Sequence, residues 1–345
     1  MESINYTKAN EQIEKLKNQN LIIKDTERAR QSLELFGYSN LIKSYRDPYV
    51  IISDGKKLFR SGVSFEQIYS LYMLDKNLRI AVMASMLDLE EHIKEITADV
   101  IAQSFGTHQD QYLKYSNYQN KRKYKFRFTL AGILDTLKKT LETDKEPIHH
   151  YMEKYQMVPP WILFKSVYFS TIVNFIDQLK AKEQQMIARR IYDLQDGTSE
   201  DKQVQMMMDT LYIALEYRNI AAHGGRIYNY KIKRDLSTKD DFPSSQGFCL
   251  LLRLLNLMKY QGPYKYLESV LNRELNRHCN LFPQDITYLE KILNISITTH
   301  NVVWITECSK IYHSSPHCSG MKKAHEIDLE KAEKLGYSPC NKCLK

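Results

Sequence analysis

The chain is poor in the residues that interrupt helices. It has 12 glycines and 9 prolines in 345 residues, which argues for long helices rather than many turns. It also lacks any uninterrupted apolar run of the ~18 residues that a membrane span needs. The opening stretch MESINYTKANEQIEKLKNQN has no apolar segment of the kind a secretory signal requires. A soluble, cytoplasmic protein with no membrane partner is therefore expected. Cysteine is scarce along most of the chain. Of six, four stand at 308, 318, 340 and 343. A terminal cluster in a cytosolic chain suggests a metal site rather than a disulfide framework.

What is present is ordinary for a globular protein, with 43% hydrophobic and 26% charged residues. The length suits two domains. The net charge of +8 leaves a nucleic-acid partner open without requiring one. The 24 tyrosines are the compositional oddity, since tyrosine serves cores, wet surfaces and base stacking alike.

Helix signals run along most of the chain. Residues 8–17 and 26–36 read as two helices, with Asp25 capping the second. Ser64 and Gln67 form a capping box, and Val63 and Ile68 a hydrophobic staple. The helix they open carries Leu71, Leu74, Leu78, Val82, Met86, Leu89, Ile93, Ile96 and Val100 at steps of three and four, until Gly106. Further helices are expected from Pro160 through ILFKSVYFSTIVNFIDQLK, over 184–195 and 201–223, and as two or three elements between 248 and 294. From about residue 300 the pattern changes. HNVVWIT and KIYH read as a β-hairpin, and Asp328 caps a short helix that Gly336 closes. The expected fold is mainly α over residues 1–297, a helical bundle with additional helices, followed by a small α+β domain over 298–345.

Residues 115–128, YSNYQNKRKYKFRF, interleave basic and aromatic side chains. Lys121, Arg122, Lys123, Lys125 and Arg127 are candidate phosphate contacts, with Tyr115, Tyr118 and Tyr124 as stacking faces. A charged loop leading into a strand or helix explains the same residues.

The stretch YRNIAAHGGRIYNYK holds Arg218 and His223 at the end of the helix over 201–223. An R-x4-H spacing alone carries little weight, because Arg273 and His278 repeat it. Context separates the two pairs. Val204, Met207, Met208, Leu211 and Leu215 stripe the first helix, and Ala221, Ala222, Gly224 and Gly225 leave room for another backbone. Arg226 adds a phosphate partner and Tyr228 a stacking face. Five residues advance ~140° on a helix, so the two side chains converge better in a groove or across a dimer axis than on one flat face.

The motif YRNIAAHGGRIYNYK resembles the R-N-x-x-A-H signature of HEPN proteins, and in particular their Abi-like (abortive infection) branch. GYSNLIKSY, LDKNLRIAVMASMLDLEEHIKE and PPWILFKSVYFSTI resemble further segments of that family in the same order, together covering roughly residues 5–290. The resemblance implies a helical bundle, usually a homodimer with two Arg–His pairs facing one cleft, and metal-independent endoribonuclease activity. A histidine can take the proton of a ribose 2′-OH or return one to the leaving 5′-oxygen. An arginine can hold the phosphorane by paired hydrogen bonds. Arg218 and His223 carry over as this catalytic pair, with Asn219 as an orienting neighbour and 2′,3′-cyclic phosphate ends as products. Arg273 and His278 read as structural. Two alternatives stay open. One is a non-catalytic RNA-binding effector working with a structured non-coding RNA, as antitoxin or guide. The other is a helical adaptor that binds proteins.

Near the C-terminus, His313, Cys318, Cys340 and Cys343 form a Cys3His set suited to a closed, structural tetrahedral Zn2+. His317 and Cys308 rank lower as ligands, and a redox C-x-x-C is the rival reading, for which the sequence offers no βαβ context. The pattern YH-x4-C followed by A-x3-GY-x-PC-x2-C resembles the metal-binding module of the Ada DNA-repair protein. No metal is expected in the catalytic chemistry itself.

Overall fold

A computed structural model describes residues 6–193, 198–232, 236–237, 247–316 and 318–344. The chain divides into two compact units, one of Met1–Leu74, Asn272–Lys291 and Ile295–Lys345, the other of Asp75–Leu271 and Ile292–Asn294. As expected, helix dominates, with small sheets only.

In the first unit, Thr26–Phe36 begins beneath Asp25, whose carboxylate accepts from Arg28 N at 2.9 Å. Ser64 likewise accepts from Gln67 N at 3.2 Å. The reciprocal half of that capping box is absent, because the Gln67 amide instead donates to Asp285 Oδ1 at 2.8 Å. A buried carboxylate needs its lone pairs satisfied, and that demand overrides the local cap. Val50–Ser53 and Lys56–Phe59 form an unforeseen antiparallel hairpin. Its turn residues Asp54 and Gly55 have φ of 49° and 72°, the left-handed pair that a two-residue hairpin turn demands.

The helix Phe65–Phe105 runs for 41 residues. The expected stripe is buried throughout, except that Ile96 is only half-buried. In the second unit the helix expected from Pro160 onward is broken. Pro160–Leu163 passes through a 3-10 turn, Val167 is extended, and Phe169–Gln178 restarts the helix. No glycine or proline marks this break. It leaves Phe164, Phe169 and Phe175 all in the core.

Residues 302–339 carry the expected hairpin and more. The strands Val302–Thr306 and Ser309–His313 pair antiparallel, His325–Asp328 adds on the outer side, and Ser338–Pro339 pairs parallel with the second strand. Val303, Ile305, Tyr312 and Ala332 make a core of four buried residues. Asp328 caps Leu329–Lys334 as expected, accepting from Lys331 N. Gly336, at φ 79°, closes that helix.

Candidate functional site

The site helix, Glu200–Ala222, opens under Ser199, whose hydroxyl accepts from Lys202 N at 3.3 Å. Met207, Met208, Leu211, Ile213, Ala214 and Tyr217 fix its inner face in the core. Its end is a complete Schellman turn. Gly224 N donates to Ala221 O at 3.2 Å and Gly225 N to Ile220 O at 2.9 Å. Only Gly224 takes the left-handed backbone, at φ 71°. Gly225 is needed for a different reason, since a Cβ there would meet Ile220 Cγ2 at 2.7 Å.

This turn leaves Asn219, Ala222, His223 and Gly224 exposed in succession. Among the described residues, no hydrogen bond holds the His223 imidazole. Arg218 is half-buried and under-satisfied. Its Nε is buried without a partner, and Nη1 reaches only Asn219 Oδ1 at 3.4 Å. The guanidinium and imidazole thus flank the helix end with donors still unused.

The chain after the turn is anchored by Asp75, a residue the sequence reading passed over. Asp75 is fully buried, and its Oδ1 accepts from the backbone N of both Ile227 and Tyr228 at 2.9 Å. Its Oδ2 accepts from Arg79 Nη1 at 2.7 Å. Two backbone donors and a guanidinium on one carboxylate make a rigid clamp. The clamp also corrects the role expected of Tyr228. Its ring is 1% exposed, so it fills the core and offers no stacking face.

Beside the helix end lies a groove of about 640 Å³, lined by Asn219, Ile220, His223, Gly225, Arg226, Asn229, Tyr230 and Lys231. Among the described residues no carboxylate lines it, while His223, Arg226 and Lys231 do, an arrangement that favours an anion. A second groove of about 400 Å³ is lined by Lys123, Tyr124, Lys125, Phe128, Asn174, Tyr212, Leu215, Glu216 and Asn219. Asn219 borders both. Glu216, the one acid among the described residues of the second groove, accepts a hydrogen bond from the Tyr230 hydroxyl. Burial, and then that bond, raise the Tyr230 phenol above its usual range and keep it a neutral donor.

The basic segment divides under the structure. Arg122, Lys125 and Arg127 are exposed, as are Tyr115 and Tyr124, and Arg127 sits 4.6 Å from the Phe128 ring centre. Lys121 and Lys123 are different, because both are tied to Asp177, Lys121 at 3.1 Å. Burial works against ionising Asp177, but the hydrogen bond from Lys123 and the charges of both lysines outweigh it. The carboxyl is therefore held below its usual range. These two lysines fasten the segment to the bundle, with part of their charge spent on Asp177. Tyr118 is also no stacking face, since it is 5% exposed and its hydroxyl donates to Tyr112 O.

The second R-x4-H pair is structural, as expected. His278 is 1% exposed, with Nε2 on Asp285 Oδ2 and Nδ1 on Ser70 Oγ, both at 2.9 Å. Arg273 holds the neighbouring Glu274.

His313, Cys318, Cys340 and Cys343 come together with all four ligand atoms within 4.8 Å of one another. The sulfurs of Cys318 and Cys340 are 3.9 Å apart, and Cys343 Sγ lies 3.7 Å from His313 Nδ1. Thiolates ~2.3 Å from a tetrahedral Zn2+ would stand about 3.8 Å apart, so the spacing fits that ion. Backbone amides donate to two of the sulfurs, Ser314 N to Cys343 Sγ and Lys342 N to Cys340 Sγ, each at 3.4 Å. Desolvation opposes ionisation at Cys343, but the contacts from Ser314, Cys318 and His313 prevail and bring its thiol down to about 6. The set can hold a metal ion. Cys308 is exposed and outside the cluster, and His317 lies outside the described residues.

A mainly helical protein with an Arg–His helix end and a small Cys/His module is thus defined. Among the described residues, no helix is long and apolar enough to cross a membrane. Residues 31–229, more than half of the chain, match the family of Abi-like proteins, and the chain belongs to that family. No match was found among curated proteins or solved structures. The matched span takes in Asp75, the basic segment and the whole of the Arg218–His223 element, and ends just after the clamp.

Proposed function

We propose that this Abi-like protein is a metal-independent endoribonuclease of the HEPN type, acting in abortive infection. The observation that carries the reading is the helix end itself. The exposed His223 imidazole lines a groove with Arg226 and Lys231 and, among the described residues, no carboxylate, and on the same helix end Arg218 keeps a buried Nε without a partner. His223 takes the proton from a ribose 2′-OH, and the 2′-oxygen then attacks the adjacent phosphorus. Arg218 and Arg226 hold the phosphate oxygens as charge builds on them, and Asn219 positions the Arg218 head. The P–O5′ bond breaks, leaving a 2′,3′-cyclic phosphate and, once protonated, a 5′-OH. A second protomer brings its own pair, so one histidine acts as base and the other as acid. The exposed Arg122, Tyr124, Lys125 and Arg127 extend RNA contact beyond the cut site. Zinc in the Cys3His set has a structural task, holding the C-terminal module folded around its small core.

The test compares wild type with His223→Ala and Arg218→Ala, using purified protein on RNA and growth of expressing cells. Both variants should lose cleavage and toxicity while keeping the wild-type unfolding temperature. Full activity in both would rule out the assigned chemistry. Lost toxicity with no cleavage by any form would favour RNA sequestration, for instance with a structured non-coding RNA.

A further inference from the structure

The first unit contains a pocket of about 220 Å³, separate from the helix end. Its wall is largely apolar, with Phe65, Tyr69, Met73, Leu74 and Phe282 among the lining residues. Cavities of ~150 Å³ accept a benzene ring, so this one has room for one ring and a short polar group.

The polar groups on the wall are of both signs. Arg28 and Arg277 are exposed at the pocket, and neither has a carboxylate partner among the described residues. Arg28 lies 5.8 Å from the centre of the Tyr69 ring. Three acids also line the pocket. Asp25 serves as the cap of its helix, and Glu274 is held by Arg273. Glu66 differs. One oxygen accepts from Lys24 N at 3.3 Å, while Oε2 is buried with no partner. A buried carboxylate oxygen left unpaired is costly, and a donor from a ligand would relieve it.

Ser70 also lines the pocket, in a relay through His278 to Asp285. Asp285 is fully engaged, since Tyr49 and Gln67 also donate to it, at 2.7 and 2.8 Å. The relay resembles a nucleophile–base–acid chain. However, Ser70 sits inside the helix Phe65–Phe105, where backbone N–H groups are used in the helix ladder and cannot form an oxyanion hole. The relay therefore makes a rigid wall with one fixed hydroxyl, and the pocket binds rather than reacts.

We infer that this pocket binds a small zwitterion with an apolar side chain, of the aromatic amino-acid class. The ammonium group meets Glu66 Oε2, the carboxylate meets Arg28 and Arg277, and the ring fills the space among Phe65, Met73 and Phe282. This site is independent of the nuclease reading.

Calorimetric titration of the full-length protein tests it with three probes: L-phenylalanine, phenylacetate, which lacks the ammonium, and 2-phenylethylamine, which lacks the carboxylate. L-Phenylalanine should bind at least tenfold more tightly than either analogue. Glu66→Gln should erase its advantage over phenylacetate, and Arg28→Ala with Arg277→Ala its advantage over 2-phenylethylamine. Met73→Trp, which fills the pocket, should abolish binding in a protein whose unfolding curve is otherwise normal. Absence of L-phenylalanine binding at millimolar concentration overturns the inference. So does equal affinity for all three probes, or binding that survives Met73→Trp.

Discussion

Asp75 gives the sharpest energetic test of how the site is held. Replacing it with alanine strands two backbone N–H groups, at Ile227 and Tyr228, which are 0% and 1% exposed. It also removes a partner of Arg79, whose side chain is only 13% exposed. Leaving a buried donor unsatisfied costs about 1–3 kcal/mol. Removing one side of a buried ion pair costs about 3–5 kcal/mol. The groups share one carboxylate, so these costs overlap rather than add, and a loss of about 4 kcal/mol is expected for Asp75→Ala. Asp75→Asn keeps an oxygen for both N–H groups but turns a neutral amide toward Arg79, and should lose about half as much. At ~2–4 °C per kcal/mol, the unfolding midpoint falls by roughly 8–16 °C for alanine and half that for asparagine. Thermal unfolding followed by circular dichroism reads both. RNA cleavage measured well below the midpoint should also drop in Asp75→Asn, because the segment carrying Arg226 loses its anchor. A midpoint for Asp75→Ala within about 2 °C of wild type would refute the clamp, since surface substitutions alone shift stability by that little.

Other perturbations separate backbone from side-chain effects. Gly224→Ala places a side chain in open space but at φ 71°, so chemical denaturation should show a loss of about 1 kcal/mol. Gly225→Ala should cost as much through collision with Ile220 rather than through strain, and Ile220→Ala should rescue only the second variant. The Asp177 carboxyl is held below its usual range, so its tie to Lys121 and Lys123 contributes stability above the ordinary carboxylate pKa and loses it as pH falls through the lowered one. Protection of amides in residues 119–128, taken relative to their intrinsic exchange rate, should thus stay high near neutral pH and fall only in acid, and Asp177→Asn should remove that pH dependence. Purified protein should carry one zinc per chain by elemental analysis. Cys340→Ser should lose it and loosen residues 302–344, whose core of four buried residues is small.

Much of this was legible in local chemistry. Ser199 aside, the caps at Asp25 and Asp328, the stops at Gly224 and Gly336, and the stripe from Leu71 to Val100 each follow from residue type and spacing. The Cys/His cluster that could hold a metal ion was legible too, because a C-x2-C knuckle and an upstream His–Cys pair together match metal-ligand spacing. What sequence spacing cannot carry is competition at a distance. Gln67 had a local partner and took Asp285 instead. Lys121 and Lys123 looked like phosphate contacts until Asp177, more than fifty positions away, took both. Tyr228 reads as a stacking face beside the helix end, yet Asp75 draws its backbone inward across 153 positions. Asp54–Gly55 is a readable hairpin signal in the sequence, and an acid four residues before an arginine, Asp75 and Arg79, hints at the clamp.

The chemistry of the cut ends tests the central claim most directly. Full-length protein is incubated with a defined RNA in excess chelator, and the fragments are resolved by mass. If His223 and Arg218 form half of a nuclease site, fragments should carry 2′,3′-cyclic phosphate and 5′-OH ends, and His223→Ala should yield none. Intact RNA with wild-type protein, or 3′-OH and 5′-phosphate ends that vanish with chelator, would contradict it.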